Sequence, residues 1–135
     1  MLKVCIDTNV WISGVLFAGP PAKVVDLAIY RRRIEVISST AILRELERNL
    51  VGKFGFSIRT VKRLTYRIAE VADLYEPAGE IKLAGISRQD ALVLETAILG
   101  KAKFLVTGDR RLLALKHFKY TRIVEPAPLL RVLNL

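Results

Sequence analysis

Cysteine, histidine, methionine and tryptophan each occur only once among the 135 residues of this chain. Because Cys5 is the only cysteine, no internal disulfide can form, and its place in an apolar run predicts a small buried hydrophobe. His117 has no second imidazole with which to build a zinc site or a nucleophile and base pair. No apolar stretch approaches the ~20 residues that a membrane span needs. The apolar residues, 52% of the chain, are therefore expected to form a protein core.

Negative charge is also scarce, since 13 acidic residues face 22 lysines and arginines, for a formal net charge of +9. Such an excess attracts polyanions, so nucleic acid is the first partner to consider. Because no apolar stretch is long enough to span a bilayer, no membrane partner is expected. The first residues lack the long apolar region and the small-residue cleavage site of a signal peptide. We therefore expect the protein to stay in the cytoplasm.

Short apolar runs alternate with segments of helical periodicity along the whole chain. Pro20 and Ser57 suit helix starts, and Gly100 suits a helix end. Strands are predicted at 2–6, 34–37, 74–75, 104–106 and 122–124, and helices from Pro20 to about 33, at 40–50, from Ser57 to 71, at 91–99, 110–115 and 128–133. A strand, a helix and a strand within about 35 residues form a βαβ unit with parallel strands. The chain is thus predicted to be one α/β domain, residues 1–135, with no linker.

Four acidic residues from distant parts of the chain are candidates for one site. Asp7 and Asp109 follow apolar strands directly or nearly so, and ligands of open α/β sheets bind beyond the carboxyl ends of the strands. Asp90 lies in the first turn of a predicted helix and Glu45 within two turns of another. Because helix starts lie along the same edge as strand ends, these four carboxylates are expected to converge.

Clustered carboxylates repel one another, each close pair by ~4 kcal/mol at an effective dielectric near 20. A divalent cation would compensate, and hard oxygen ligands select Mg²⁺ or Mn²⁺. Such an ion can orient a phosphodiester, stabilise the departing oxygen and activate an attacking water. The pattern therefore favours metal-dependent phosphodiester hydrolysis.

Each acid also has a purely structural interpretation. Asp7 and Asp109 suit the turns that follow them, and the segment from Ser87 to Asp90 matches a capping box ahead of an apolar helix. Periodicity does not choose between Glu45 and its neighbour Glu47.

Arginines recur at two places that suit phosphate binding. Arg59 and Arg63 lie at helical spacing in the segment from Ser57, and Arg110 and Arg111 follow Asp109 directly. An ordinary solvated surface explains both sets equally well.

Taken in order, four motifs resemble the PIN-domain nuclease family, particularly the small prokaryotic VapC-like toxin components of toxin-antitoxin pairs. They are VCIDTN at 4–9, the segment 39–46 with Glu45, QDA at 89–91 and FLVTGD at 104–109. The resemblance implies a three-layer α/β/α sandwich whose parallel sheet has the strand order 3-2-1-4-5. It implies hydrolysis of single-stranded RNA with Mg²⁺ or Mn²⁺, and a homodimer with a small antitoxin protein as a further partner.

The same resemblance assigns roles to individual residues. It selects Glu45 over Glu47 and implies a catalytic quartet of Asp7, Glu45, Asp90 and Asp109, with the metal on Asp7, Asp90 and Asp109. Polar groups near the metal or the phosphate would come from Thr8, Asn9 and Thr107. Close relatives often carry more acids before the Asp90 position and an asparagine after it, whereas this chain has Ser87, Gln89 and Ala91, so fewer ligands remain for a second metal.

Two other functions fit parts of the pattern. A haloacid-dehalogenase-type phosphotransferase also ends its first strand in aspartate, but it needs an acid two residues later, where this chain has Asn9. A non-catalytic RNA-binding module would use the basic helix for binding and the acids only as caps. Such a module would bind RNA without Mg²⁺ and cleave nothing.

Overall fold

The computed structural model describes residues Met1–Leu135 and contains a central six-stranded sheet with seven helices. The strands are β1 (Lys3–Ile6), β2 (Glu35–Ser39), β3 (Ala72–Tyr75), β4 (Phe104–Val106), β5 (His117–Phe118) and β6 (Thr121–Val124). The helices are α1 (Thr8–Leu16), α2 (Pro20–Ile29), α3 (Thr40–Gly52), α4 (Ile58–Val71), α5 (Arg88–Leu99), α6 (Arg110–Leu115) and α7 (Pro126–Val132).

The sheet has the order β3-β2-β1-β4-β6-β5, and only the outermost pair, β5 and β6, is antiparallel. The five parallel strands therefore have the predicted order 3-2-1-4-5. The additional strand β5 is two residues long, too short to produce a periodicity signal in the sequence.

Helices cover both faces of the sheet. The chain moves one way along the sheet from β1 to β3 and the other way from β3 to β6, so right-handed crossovers place the two sets of helices on opposite faces. On one side α2 packs against α4 and α7, while α5 contacts β1, β2 and β4. The predicted three-layer α/β/α class is confirmed.

The core lies where the central strands meet these helices. Val4, Ile37 and Leu105 on β1, β2 and β4 are fully buried, as is the indole of Trp11. The side chain of Cys5 is buried too, and burial raises the pKa of its thiol. The predicted small buried hydrophobe at Cys5 is confirmed.

Helix α1 is the one longer element that sequence patterns missed, because its β-branched residues and Gly14 have low helix propensity. Burial of Val10 and Trp11 stabilises the helix instead. No single helix is long and apolar enough to cross a membrane, and the apolar pair α1 and α2 is bent by 102°.

Candidate active site

A cleft of about 380 Å³ opens beyond the carboxyl ends of the central strands. The four predicted acids all line it, although they come from four separate segments of the chain. Its complete lining is Asp7, Thr8, Asn9, Ile12, Ser13, Glu45, Asn49, Lys53, Phe54, Gln89, Asp90 and Asp109. The parallel topology therefore brings together the carboxylates as expected.

Asp7 lies at the floor of the cleft, between the end of β1 and the start of α1, and its side chain is only 4% exposed. Its Oδ1 accepts a hydrogen bond from the backbone N–H of Thr8 at 2.7 Å. Its Oδ2 accepts from Thr107 Oγ1 at 2.8 Å and from Asn9 Nδ2 at 3.2 Å. The carboxylate is thus held in one orientation from two sides, and it caps α1 while lining the cleft.

The pKa of Asp7 is raised to about 6, chiefly by burial and to a smaller extent by the nearby carboxylates of Asp90 and Asp109. The hydrogen bonds from Thr107 and Thr8 act in the opposite direction, because they stabilise the ionised form. The remaining rise means that burial and the neighbouring carboxylates disfavour the ionised form of Asp7 more than its hydrogen bonds favour it. A bound cation would stabilise the ionised form.

Asp109 and Asp90 lie close to each other in the cleft. Asp109 caps α6, since its Oδ1 accepts from the backbone N–H groups of Arg111 at 2.8 Å and Leu112 at 3.1 Å. Asp90 lies in the first turn of α5, where its N–H donates to Ser87 Oγ at 3.1 Å. Burial and the adjacent Asp109 carboxyl raise the pKa of Asp90, against the opposing effects of Ser87 and Arg111. The capping and active-site interpretations therefore both describe these residues.

Helix α3 turns Glu45 toward the cleft and Glu47 away from it. Glu45 accepts hydrogen bonds from Arg48 Nη2 at 2.8 Å and Asn49 Nδ2 at 3.1 Å. Glu47 instead forms an ion pair with Lys62 Nζ of α4 at 2.8 Å. Packing of α3 against α1, α4 and α5 thus separates two residues that periodicity treats alike.

The three predicted polar residues differ in what they can reach. Thr8 lines the cleft, and its buried Oγ1 has no hydrogen-bond partner. Asn9 also lines it, donating to Thr107 Oγ1 at 3.3 Å and accepting from the Gly108 N–H at 3.0 Å. Thr107 is fully buried and does not line the cleft; its Oγ1 donates to Asp7, so the structure places it beside the predicted metal ligand, and its contact with substrate stays a prediction.

The predicted arginines do not line the cleft. Arg110 and Arg111 are exposed at the start of α6, and only Arg111 lies near enough to affect the pKa of Asp90. Arg59 and Arg63 lie on the exposed face of α4. The cation that does line the cleft is Lys53, at the C-terminal end of α3.

Sequence reasoning missed several lining residues for identifiable reasons. Asn49 and Lys53 follow Glu45 by four and eight residues, a helical spacing that could have found them. Ile12 and Ser13 stand one turn beyond Asn9 on α1, so they could not be placed without that helix. Gln89 carries a buried Nε2 with no hydrogen-bond partner, which only the structure shows.

The donor chemistry of the cleft fits a hard divalent cation. Nowhere in the structure do three or more Asp, Glu, His or Cys side chains already form a metal cage, so the three-carboxylate ligand set remains a prediction. Mg²⁺ usually takes one or two protein carboxylates and keeps several waters. Two observations favour a cation that prefers oxygen ligands: Thr8 Oγ1 has no hydrogen-bond partner, and the pKa of Asp7 is raised.

Comparison with known proteins agrees with this geometry. The family model described as PIN domain matches residues 3–111, which is most of the chain. The chain belongs to the PIN-domain family. PIN domains are generally nucleases, and they usually use divalent metals.

Two individual proteins extend the comparison. Protein MJ1680 of Methanocaldococcus jannaschii, described as uncharacterized, is 32% identical over 129 residues, covering 90% of this chain and 81% of the relative. A chain in the crystal structure of VapBC2 from Rickettsia felis, bound to a DNA fragment from their promoter, superposes with a TM-score of 0.60. That match covers 90% of this PIN-domain chain and 97% of the other at 11% identity, so it shows a shared fold.

Proposed function

We propose that this PIN domain is a metal-dependent endoribonuclease that hydrolyses phosphodiester bonds of single-stranded RNA in the cytoplasm, with residues 1–135 acting as one nuclease domain. The observation that carries the proposal is the convergence of Asp7, Glu45, Asp90 and Asp109 on one open cleft. An enclosed pocket would suit a small metabolite, whereas an open acidic cleft on a strongly basic chain suits a polymer phosphate brought in with a cation.

Asp7, Asp90 and Asp109 are the residues that would hold Mg²⁺ or Mn²⁺. When bound, the cation supplies charge compensation at the phosphate and lowers the pKa of a water molecule. Thr107 and the Thr8 N–H hold the Asp7 carboxylate in place. Little side-chain rearrangement is then needed at Asp7 when the substrate arrives.

Glu45 lines the same cleft from α3. Its carboxylate oxygens accept hydrogen bonds from Arg48 and Asn49, which fix its orientation. In that position it can accept a hydrogen bond from an attacking water, while Lys53 in the cleft lining and Arg111 near Asp90 are available for phosphate oxygens.

A cleavage assay on mixed single-stranded RNAs with Mn²⁺, with and without EDTA, tests the proposal directly. Glu45→Gln and Glu47→Gln provide a matched pair, because both remove one charge from the same helix and only Glu45 lines the cleft. We expect EDTA to stop cleavage and Glu45→Gln to slow it by at least about a hundredfold. Glu47→Gln should cleave at close to the wild-type rate.

The main alternative is RNA binding without cleavage, which the capping hydrogen bonds of Asp7 and Asp109 favour. Full RNA retention with no Mn²⁺-dependent product would support that alternative and contradict the nuclease. A haloacid-dehalogenase-type reaction is not supported, since Asn9 holds the position of its second acid and bonds to Asp7 and Thr107.

We further propose a role as the toxin of a toxin-antitoxin pair, acting as a homodimer that a small antitoxin protein inhibits. The shared fold with a chain of the VapBC2 structure supports this role. Expression of the active protein should then arrest growth, and expression of Asp7→Asn should not. Unimpaired growth under expression of an enzyme that is active in vitro would favour RNA processing instead.

A further inference from the structure

The outer face of α4 presents arginines in one line along the helix. Arg59, Arg63 and Arg67 recur every fourth residue, so their Cα atoms step by ~6 Å along the axis. All three side chains are exposed. The apolar residues Val61 and Ile68 occupy the opposite, buried face.

This line continues onto the end of α2. Arg67 Nη2 donates to the backbone carbonyl of Ile29 at 3.3 Å, which places the arginine beside the segment that follows α2. That segment contributes exposed Arg32 and Arg33. We call Arg59, Arg63, Arg67, Arg32 and Arg33 together the basic track.

Few acids neutralise the basic track. The neighbouring Asp26 pairs with Arg31 at 3.0 Å, and Glu47 pairs with Lys62 at 2.8 Å. Exposed Glu70 lies on the outer face of α4 beyond Arg67 and forms no ion pair. The track therefore retains a clear excess of positive charge.

The end of the basic track at Arg59 is close in sequence to residues that line the active-site cleft. Lys53 and Phe54 line the cleft, and only the short connection to Ser57, which caps α4, separates them from Arg59. Phe54 is 45% exposed, so an aromatic ring is available at the cleft itself.

Two more aromatic rings accompany the basic track. Tyr66 on α4 is 69% exposed and Tyr30 at the end of α2 is 74% exposed. Exposed rings interleaved with cations are typical of surfaces that bind single-stranded nucleic acid, because bases stack on the rings while cations contact phosphates. An acidic protein would require the cations but not the rings.

We propose that the basic track binds the part of a single-stranded RNA that extends beyond the active-site cleft. The inference rests on the proposed ribonuclease function and deepens it, since it explains how Arg59 and Arg63 reach substrate although they lie outside the cleft. Long RNA then binds more tightly than an oligonucleotide that fills only the cleft.

The test measures RNA affinity in EDTA, where no cleavage occurs, by fluorescence anisotropy at several salt concentrations. The variant is R33Q/R59Q/R63Q, and the control K82Q/K103Q/R131Q removes the same charge from exposed positions elsewhere. Loss of three surface ion pairs between these arginines and RNA phosphates should weaken the Kd for long RNA about tenfold. The slope of log K against log salt should become shallower by about 2, at ~0.7 per phosphate of a single strand.

Tyr66→Ala separates stacking from charge. It should weaken binding about fivefold without changing the salt slope, because the ring carries no charge. In Mn²⁺ the triple arginine variant should raise KM for long RNA while kcat stays at the wild-type value. Melting curves of all variants should coincide, since each altered side chain is exposed.

Wild-type affinity and slope in the triple arginine variant would overturn the inference, as would an equal loss in the control. Binding of anionic vesicles, but not of RNA, through the same arginines would also overturn it. Affinity is measured without metal, so the two proposals can fail separately. If the wild-type protein binds RNA through the basic track but cleaves none, the proposed nuclease function is refuted and the proposed RNA-binding surface is supported.

Discussion

Replacing Asp7 by asparagine should stabilise the metal-free protein at neutral pH while abolishing cleavage. A purely structural cap and a charge-crowded carboxylate predict different outcomes. Asparagine replaces aspartate as a cap with little change in stability, whereas removing the charge of a buried carboxylate next to two others raises stability. The stability of the variant therefore distinguishes the two interpretations without reference to activity.

The magnitude follows from the pKa of Asp7, which rises from 3.8 to about 6. At ~1.36 kcal/mol per tenfold change in acidity, keeping this buried group ionised costs the fold about 3 kcal/mol. Asparagine caps helices about as well as aspartate. The pKa of about 6 already includes the opposing hydrogen bonds from Thr107 and Thr8, so their loss is not subtracted again. The gain at pH 8 is thus up to about 3 kcal/mol.

The sign of the effect depends on pH. Because the folded-state pKa of Asp7 is raised, its stabilising contribution is present below pH ~4 and is lost as the pH rises through about 6. At pH 4 the wild-type carboxyl is protonated and the variant should be no more stable than wild type. By pH 8 the order should reverse.

Urea unfolding in EDTA between pH 4 and pH 8 measures both stabilities. Asp26→Asn is the matched control, since Asp26 is exposed and pairs only with Arg31 on the surface. That variant should change the free energy of unfolding by less than about 1 kcal/mol at either pH. An Asp7→Asn protein no more stable than wild type at pH 8 would refute the argument and leave Asp7 as a cap.

Three further predictions concern metal binding and packing. Millimolar Mn²⁺ should raise the Tm of the wild type but not that of Asp7→Asn; equal shifts in thermal melting would place the ion elsewhere. Gly100→Ala should lower the free energy of unfolding by about 1–3 kcal/mol in urea titrations, because the added Cβ would stand 2.2 Å from an Ile37 methyl. Gly52→Ala is the control, since its added Cβ would meet nothing within 4 Å. Glu95→Ala should speed amide hydrogen exchange at Gly79, whose N–H donates to Glu95 at 3.1 Å; unchanged exchange there would mean that other contacts hold this loop.

Sequence patterns predicted much of the fold because the relevant signals are local. The apolar runs ending at Ile6 and Val106 identified central strands, and Ser57 and Ser87 identified helix starts that the structure confirms as N-caps. The βαβ spacing implied parallel strands, whose carboxyl ends must share one edge. Asp7 and Asp109 could therefore be brought to one cleft before any coordinates were known.

Tertiary packing decided what local patterns leave open. Glu45 and Glu47 have the same helical spacing to their neighbours, and only contacts of α3 with α1, α4 and α5 turn one toward the cleft. Thr107 comes directly after β4, where a polar residue is expected to be exposed, yet neighbouring elements bury it completely. The amino-acid sequence by itself determined which segments form strands and which carboxylates follow them. Which side chains reach substrate depends instead on packing between segments far apart in the chain.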